Sequence, residues 1–188
     1  AVLALLAGDA LHALAFELVA SHPGSKRHTA AAMVKDLAIA GGSLHLVGGQ
    51  VLDMEAEGRS GTSAAQLKQI HLGKTAALLT TCLRLGAMAA NGTPKDLAAL
   101  SAFGLNLGLA FQVVDDILDV TQTSAQLGKT AGKDAAVGKA TYPAVLGLEK
   151  ARKEAKRLTK LSLDALAPLG RRATVLRAMA EYMLLREY

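Results

Sequence analysis

Residues 97–114 read LAALSAFGLNLGLAFQVV, a run without a charged side chain that ends directly against Asp115-Asp116-Ile117-Leu118-Asp119. The run is long enough for a bilayer-spanning helix. Ser101, Asn106 and Gln112 interrupt it, however, and it is closed by acids rather than by basic or aromatic residues. That pattern favours a helix buried in a protein core over a membrane span. Working outward, Thr93 is placed to cap a helix whose first residue is Pro94, with Asp96 complementing its dipole, so one helix is predicted over 94–121. The frame is an all-α protein whose chemistry begins where the apolar run stops.

The composition agrees with that frame. Hydrophobic residues make up 51% of the 188 residues and aromatic residues only 3%. The core must therefore be built from Ala, Leu, Val and Met, a mixture suited to closely packed helices. The length asks for one domain. Gly and Pro punctuation predicts further helices over 1–22, 26–57, 63–90, 142–166 and 171–187, with Ser63 and Gln66 spaced as a capping box. Period-two alternation never persists long enough for a sheet, and no repeat or low-complexity linker is visible.

The net charge of +5 comes from scattered basic residues, and aromatics to stack bases are scarce, so no nucleic-acid partner is expected. The same balance suits polyanionic small molecules if some Lys and Arg side chains converge. Cys82 is the only cysteine, which excludes an intrachain disulfide framework and a cysteine zinc site and fits a reducing, cytoplasmic setting. The start, Ala1-Val2-Leu3-Ala4-Leu5-Leu6, has no initiator Met or basic n-region and runs straight into helical pattern, so a truncated chain is expected rather than a signal peptide.

Asp115 and Asp119 stand four residues apart on one helical face, and Asp116 can reach round the same end, so three acids are expected to converge. Two carboxylates about 4 Å apart repel by roughly 4 kcal/mol at an effective dielectric of about 20, which calls for a cation. A plain acidic helix end is the alternative for a bare triplet. Hard carboxylate oxygens suit Mg2+, which binds through one or two carboxylates while waters and substrate phosphates complete its shell. Phe111 and Gln112 precede the acids, and Gln112, one turn away, is expected to face the same cavity.

Residues 122–140 carry Gly128, Gly132 and Gly138 among Lys129, Lys133 and Lys139. A long, lysine-bearing loop in a compact domain is often functional. Singly each lysine reads as solvated; together they can present ammonium groups to a phosphate. His71-Leu72-Gly73-Lys74-Thr75 ends like a phosphate-binding loop, but Lys68 stands where that motif needs its first glycine. On a helix, Lys74 is either a snorkelling surface residue or an inward phosphate ligand. Gly48-Gly49 with Gln50 and Asp53 combines close helix packing with two polar side chains on neighbouring turns. The histidines lack companions at metal-ligand spacing, and no serine or cysteine nucleophile signature is present.

Taken in order, Leu6-Ala7-Gly8-Asp9-Ala10-Leu11, Gly48-Gly49-Gln50 with Asp53, His71 with Gly73-Lys74-Thr75, Phe111 to Asp119, Leu127-Gly128-Lys129 and Gly138-Lys139-Ala140-Thr141-Tyr142-Pro143 resemble the trans-prenyl diphosphate synthases along essentially the whole chain. The resemblance is particularly to the bacterial farnesyl and geranylgeranyl diphosphate synthases. The resemblance implies an isoprenoid-synthase-type helical bundle in which residues 1–188 form the C-terminal two-thirds of a single domain, with the N-terminal part missing. It implies a Mg2+-dependent prenyltransferase that condenses isopentenyl diphosphate with an allylic diphosphate to farnesyl or geranylgeranyl diphosphate and releases diphosphate.

In that family picture Asp115, Asp116 and Asp119 are the second aspartate-rich motif and bind the metal. Lys74, Lys129 and Lys139 grip the allylic diphosphate, Thr75 and Gln112 turn oxygen dipoles toward the allylic cation, and Phe111 lines the isopentenyl diphosphate site. Gln50 and Asp53 support the water and metal network. The first aspartate-rich motif is expected upstream of Gly8-Asp9, so residues 1–188 alone are expected to be inactive. A homodimer without a membrane span is the expected assembly. The alternative is a non-catalytic regulatory subunit of the same fold, which should have lost the acids or lysines that are present here.

Overall fold

The computed structural model describes residues 2–59, 61–121 and 140–184, and every regular element among them is helical. In chain order these are α1 (Val2–Ser21), α2 (Ala30–Gly41), α3 (Leu46–Ala56), α4 (Ala64–His71), one π-helical turn (Leu72–Ala76), α5 (Ala77–Ala89), α6 (Pro94–Thr121), α7 (Tyr142–Leu146), α8 (Leu148–Ala165), a 3-10 turn (Ala167–Ala173) and α9 (Thr174–Leu184).

Helix α6 is the axis on which the others are laid. Its start is fixed reciprocally: Asp96 N donates to Thr93 Oγ1 at 3.2 Å, and Thr93 N donates to Asp96 Oδ2 at 2.9 Å. Arg172 of the 3-10 turn donates to Asp96 Oδ1 at 2.8 Å and ties the far end of the chain to this cap. Hydrogen bonds from the Thr93 hydroxyl and amide, then from Arg172, hold the Asp96 carboxyl far below the usual carboxylate range. Beyond the cap, Phe103, Ala110, Val113, Val114 and Ile117 are buried and meet Ala151, Ala155 and Leu158 of α8 in one core. Burying each large apolar side chain contributes about 1.5–3 kcal/mol.

On its other side α6 meets α5 and the end of the π turn almost backbone to backbone. A Cβ added to Gly104 would lie 2.7 Å from Thr80 Cα, and one added to Gly108 would lie 2.5 Å from Ala76 Cα. Rising numbers on α6 meet falling numbers on α5, so the pair is antiparallel, and one more turn brings Gln112 level with Leu72.

Three predicted helices are subdivided. The stretch 26–57 breaks after Gly41, where Gly42 takes extended backbone at φ −90°, ψ −164° before the chain re-enters helix at Leu46. Consecutive glycines are poor helix formers; α2 packs mainly on α1 and α5, and α3 mainly on the π turn and α4. The stretch 142–166 breaks at Gly147, whose φ of +82° is comfortable only for glycine. The stretch 63–90 keeps its capping box, with Ser63 N on Gln66 Oε1 at 2.8 Å, but contains the π turn.

Three helical stretches, Val2–Ser21, Ala30–Ala56 and Pro94–Thr121, are long and apolar enough to cross a membrane by length and composition. In α6 more than half of that apolar window is buried inside the protein. In α1 none of the residues is buried; the helix lies against α2, with His12 over Gly41.

Candidate active site

The π turn is an insertion within one continuous helix. Ala77 N donates to Leu72 O, five residues back instead of four, so the side chains of Lys74 and Thr75 are rotated off the stripe that α4 and α5 would otherwise continue. Glycine makes room for it. A Cβ on Gly49 of α3 would collide with the Lys74 backbone nitrogen, and one on Gly73 would reach 3.0 Å from His45 O. Here the sequence alternative of close helix packing at Gly49 is realised, and it serves to bring α3 onto the turn.

That approach pairs two charges. Lys74 Nζ donates to Asp53 Oδ2 at 2.5 Å, with the Asp53 side chain 7% exposed and that of Lys74 30% exposed. A carboxylate so withdrawn from water needs a cation, and Lys74 supplies it while its side chain stays partly exposed. Sequence reading singled out both residues without pairing them. The usable signal was that each sits beside an apolar stretch, Val51-Leu52 before Asp53 and Ala76-Ala77-Leu78-Leu79 just after Lys74-Thr75, where a charge withdrawn from water seeks an opposite one. Thr75 is half-buried on the same turn and Gln50 is exposed on α3. Beside them, Val47, Val51, Leu72, Ala77 and Leu105 line much of a largely apolar cleft of 730 Å3.

On α6, Phe111, Gln112 and Asp115 are half-buried, whereas Asp116 and Asp119 are buried at 2% and 4% exposure. Asp116 Oδ2 accepts a hydrogen bond from Tyr142 N at 2.9 Å. Among the described residues no group of three or more His, Cys, Asp and Glu side chains is gathered as a metal cage. Asp116, one of the three acids expected to converge, turns its Oδ2 to that amide. Mg2+ needs only one or two carboxylates beside water and phosphate oxygens, and Asp115 with Asp119, hard donors one helical turn apart, fit that demand. Lys129, Lys133 and Lys139 lie outside the described residues.

A link that sequence reading missed joins the two walls. His71, the last residue of α4, is 2% exposed, and its ring centroid is 5.5 Å from that of Tyr142. Tyr142 opens α7, whose N-cap is Thr141, with Ala144 N on Thr141 Oγ1 at 3.3 Å. Burial pushes the Tyr142 phenol up to about 12, and the negative charges of Glu154 and Asp116 add to the rise. Glu154 is itself held below its ordinary range, mainly by hydrogen bonds from Arg157 at 2.7 and 2.8 Å. Spacing gives no warning of such a link, because Tyr142 is 26 positions from Asp116.

The sequence model of the polyprenyl synthetase family matches residues 1–170. The chain is 43% identical over 189 residues to the farnesyl diphosphate synthase of Escherichia coli (strain K12), covering 97% of this chain and 63% of that protein. It is 45% identical over 186 residues to a chloroplastic geranylgeranyl pyrophosphate synthase of Capsicum annuum, covering 98% of this chain and 50% of the relative. It thus spans between half and two-thirds of these relatives' length. Among solved structures, a geranylgeranyl pyrophosphate synthetase from Pyrococcus horikoshii superposes with a TM-score of 0.84 at 26% identity, covering 100% of this chain and 68% of that one. A geranyltransferase from Helicobacter pylori, solved with magnesium and isoprenyl diphosphate, gives 0.77 at 35% identity over 97% of this chain and 59% of that one. With one helical bundle in which α6, the helix that ends in the acids, packs against the helix carrying Lys74-Thr75 on its π turn, and with these likenesses along nearly its full length, the chain belongs to the polyprenyl synthetase family.

Proposed function

We propose that the protein containing this chain is a short-chain prenyltransferase that joins isopentenyl diphosphate to an allylic diphosphate, giving farnesyl or geranylgeranyl diphosphate and free diphosphate. The observation that carries this reading is the crossing of the π turn with α6. Gly108 against Ala76 sets the register that brings Gln112 level with Leu72, and the acids continue from there. The similarity to the Escherichia coli farnesyl diphosphate synthase supports the reaction class. The Helicobacter pylori geranyltransferase, solved with magnesium, supports the choice of metal.

Asp115 and Asp119 would hold Mg2+ together with oxygens of the allylic diphosphate, Asp116 standing behind them. When bound, the metal supplies positive charge that neutralises the departing diphosphate. Lys74 adds an ammonium to the same anion, its stem oriented by Asp53. Lys129 and Lys139 take the same role from the segment between α6 and α7. The Thr75 hydroxyl and Gln112 carbonyl direct oxygen dipoles toward the allylic cation, Phe111 lines the isopentenyl site, and Gln50 orders water nearby. The apolar cleft beside the π turn takes the prenyl chain and keeps water from the cation. The released diphosphate removes the final proton, since no side chain of the described site is placed as a dedicated base. The enzyme works as a homodimer in the cytoplasm.

The test is to incubate the full-length protein with Mg2+, isopentenyl diphosphate and dimethylallyl or geranyl diphosphate, and to identify products by mass spectrometry. Farnesyl or geranylgeranyl diphosphate is expected, with turnover lowered about 100-fold or more by Asp115→Ala. A folded, full-length protein that elongates neither starter overturns the reading.

A further inference from the structure

Tyr142 sits where the two walls of the site meet. Its amide donates to Asp116, its ring lies against His71, and α7 touches α4, α6 and α8. The five residues after His71 are the π turn with Lys74 and Thr75. One residue therefore joins the element bearing the acids to the element bearing Lys74. Because Asp116 is 2% exposed, its carboxylate is oriented by hydrogen bonds rather than by bulk water, and a bond from an amide to an ionised oxygen is among the stronger ones.

We propose, building on the metal-diphosphate reading above, that the Tyr142 backbone amide is a positioning group for the acidic end of α6. It fixes the rotamer of Asp116, and through the shared helical turn it sets how Asp115 and Asp119 offer oxygens to a divalent cation. Partners of this kind, which hold the carboxylates around a metal without touching it, change metal affinity by about 10–100-fold when removed. The contact also explains why a carboxylate within an acidic triplet is buried deeply: the amide replaces part of its lost hydration.

The start of α7 makes the amide separable from the ring. Tyr142 is the first helical residue, a position where the N–H has no acceptor within the helix and proline is tolerated. Thr141, at φ −129° and ψ 159°, already has the extended backbone that precedes a proline. Tyr142→Ala removes the ring and keeps the amide hydrogen; Tyr142→Pro removes both. The difference between these variants isolates the hydrogen bond.

The experiment measures Mn2+ affinity of the full-length protein in the presence of inorganic pyrophosphate by electron paramagnetic resonance, together with melting midpoints and amide exchange at Tyr142. Tyr142→Pro is expected to bind Mn2+ about tenfold more weakly than Tyr142→Ala, with the midpoints of the two within a few degrees. The Tyr142 amide is expected to exchange slowly in the parent protein and at least about tenfold faster in Asp116→Ala. Equal Mn2+ affinities in the Ala and Pro variants, beside tight binding by the parent, overturn the positioning role alone. If Tyr142→Pro does not fold, amide exchange decides: a rate unaffected by Asp116→Ala overturns the role. A parent protein that binds no Mn2+ brings down the metal reading itself, and this role with it.

Discussion

At the scale of single residues, the site is organised by where each charge finds its partner. Asp53 and Lys74 answer one another across α3 and the π turn, and the acid of the pair is the more deeply withdrawn. Lys74 is thereby held in place before any anion arrives, which lowers the entropy lost when a diphosphate is gripped. Asp96 has a purely architectural task, holding Thr93 and Arg172 together at the start of α6. Its folded-state carboxyl is depressed, so in the ordinary titration range the unfolded chain binds more protons and stability rises with pH. Asp96→Asn should therefore melt at a lower temperature than the parent at pH 7. That deficit should narrow as pH falls below about 4. Calorimetry from pH 7 to pH 3 checks this; a deficit that stays constant with pH would remove the ionic part of the assignment.

At the scale of elements, close approach is decided by glycine. Gly49 lets α3 rest on the π turn, and any Cβ there would meet the Lys74 backbone rather than a yielding side chain. Gly49→Ala should cost about 1–3 kcal/mol or more and displace the turn. Gly86 on α5 is a matched control, because nothing lies within 4 Å of a Cβ added there. Gly86→Ala should stabilise by about 0.5–1 kcal/mol through helix propensity and a less flexible unfolded chain. Urea unfolding of the two variants should move the midpoint in opposite directions; a loss at both positions would mean that propensity and packing have been assigned wrongly. The π turn belongs to this scale as well. One extra residue in a helix, stabilised by the contact with α3, re-aims Lys74 and Thr75 without interrupting the rod that carries them.

At the scale of the whole molecule, burial is unevenly shared. The α6 and α8 interface holds much of the core, while α1 has no buried residue and exposes Leu3, Leu5, Leu6, Leu11, Leu14 and Leu18. Local stability follows the number of buried apolar contacts. In the 188-residue chain on its own, amides of α1 should exchange at least about 100-fold faster than those in the middle of α6. Hydrogen-exchange mass spectrometry resolves the two peptides, and equal protection would show that α1 is covered by something this chain does not supply.

Much of this protein was legible in order along its chain. The charge-free run before Asp115, the scarcity of aromatics and the capping signals at Ser63 and Thr93 lead to an all-helical bundle, because amphipathic period, propensity and capping are local properties. The ordered motifs, through their resemblance to a known family, lead to Lys74, Thr75, Phe111, Gln112 and the three acids as candidates for one site. Only the tertiary structure decided that Asp53 answers Lys74, that Asp116 turns to the amide of Tyr142, and that the helix through Leu72–Ala76 accommodates an extra residue. Each depends on partners brought together by packing across 21 or more positions, or on a helix yielding to a neighbour that touches it. Those free energies arise between elements, and the order of residues within any one element does not contain them.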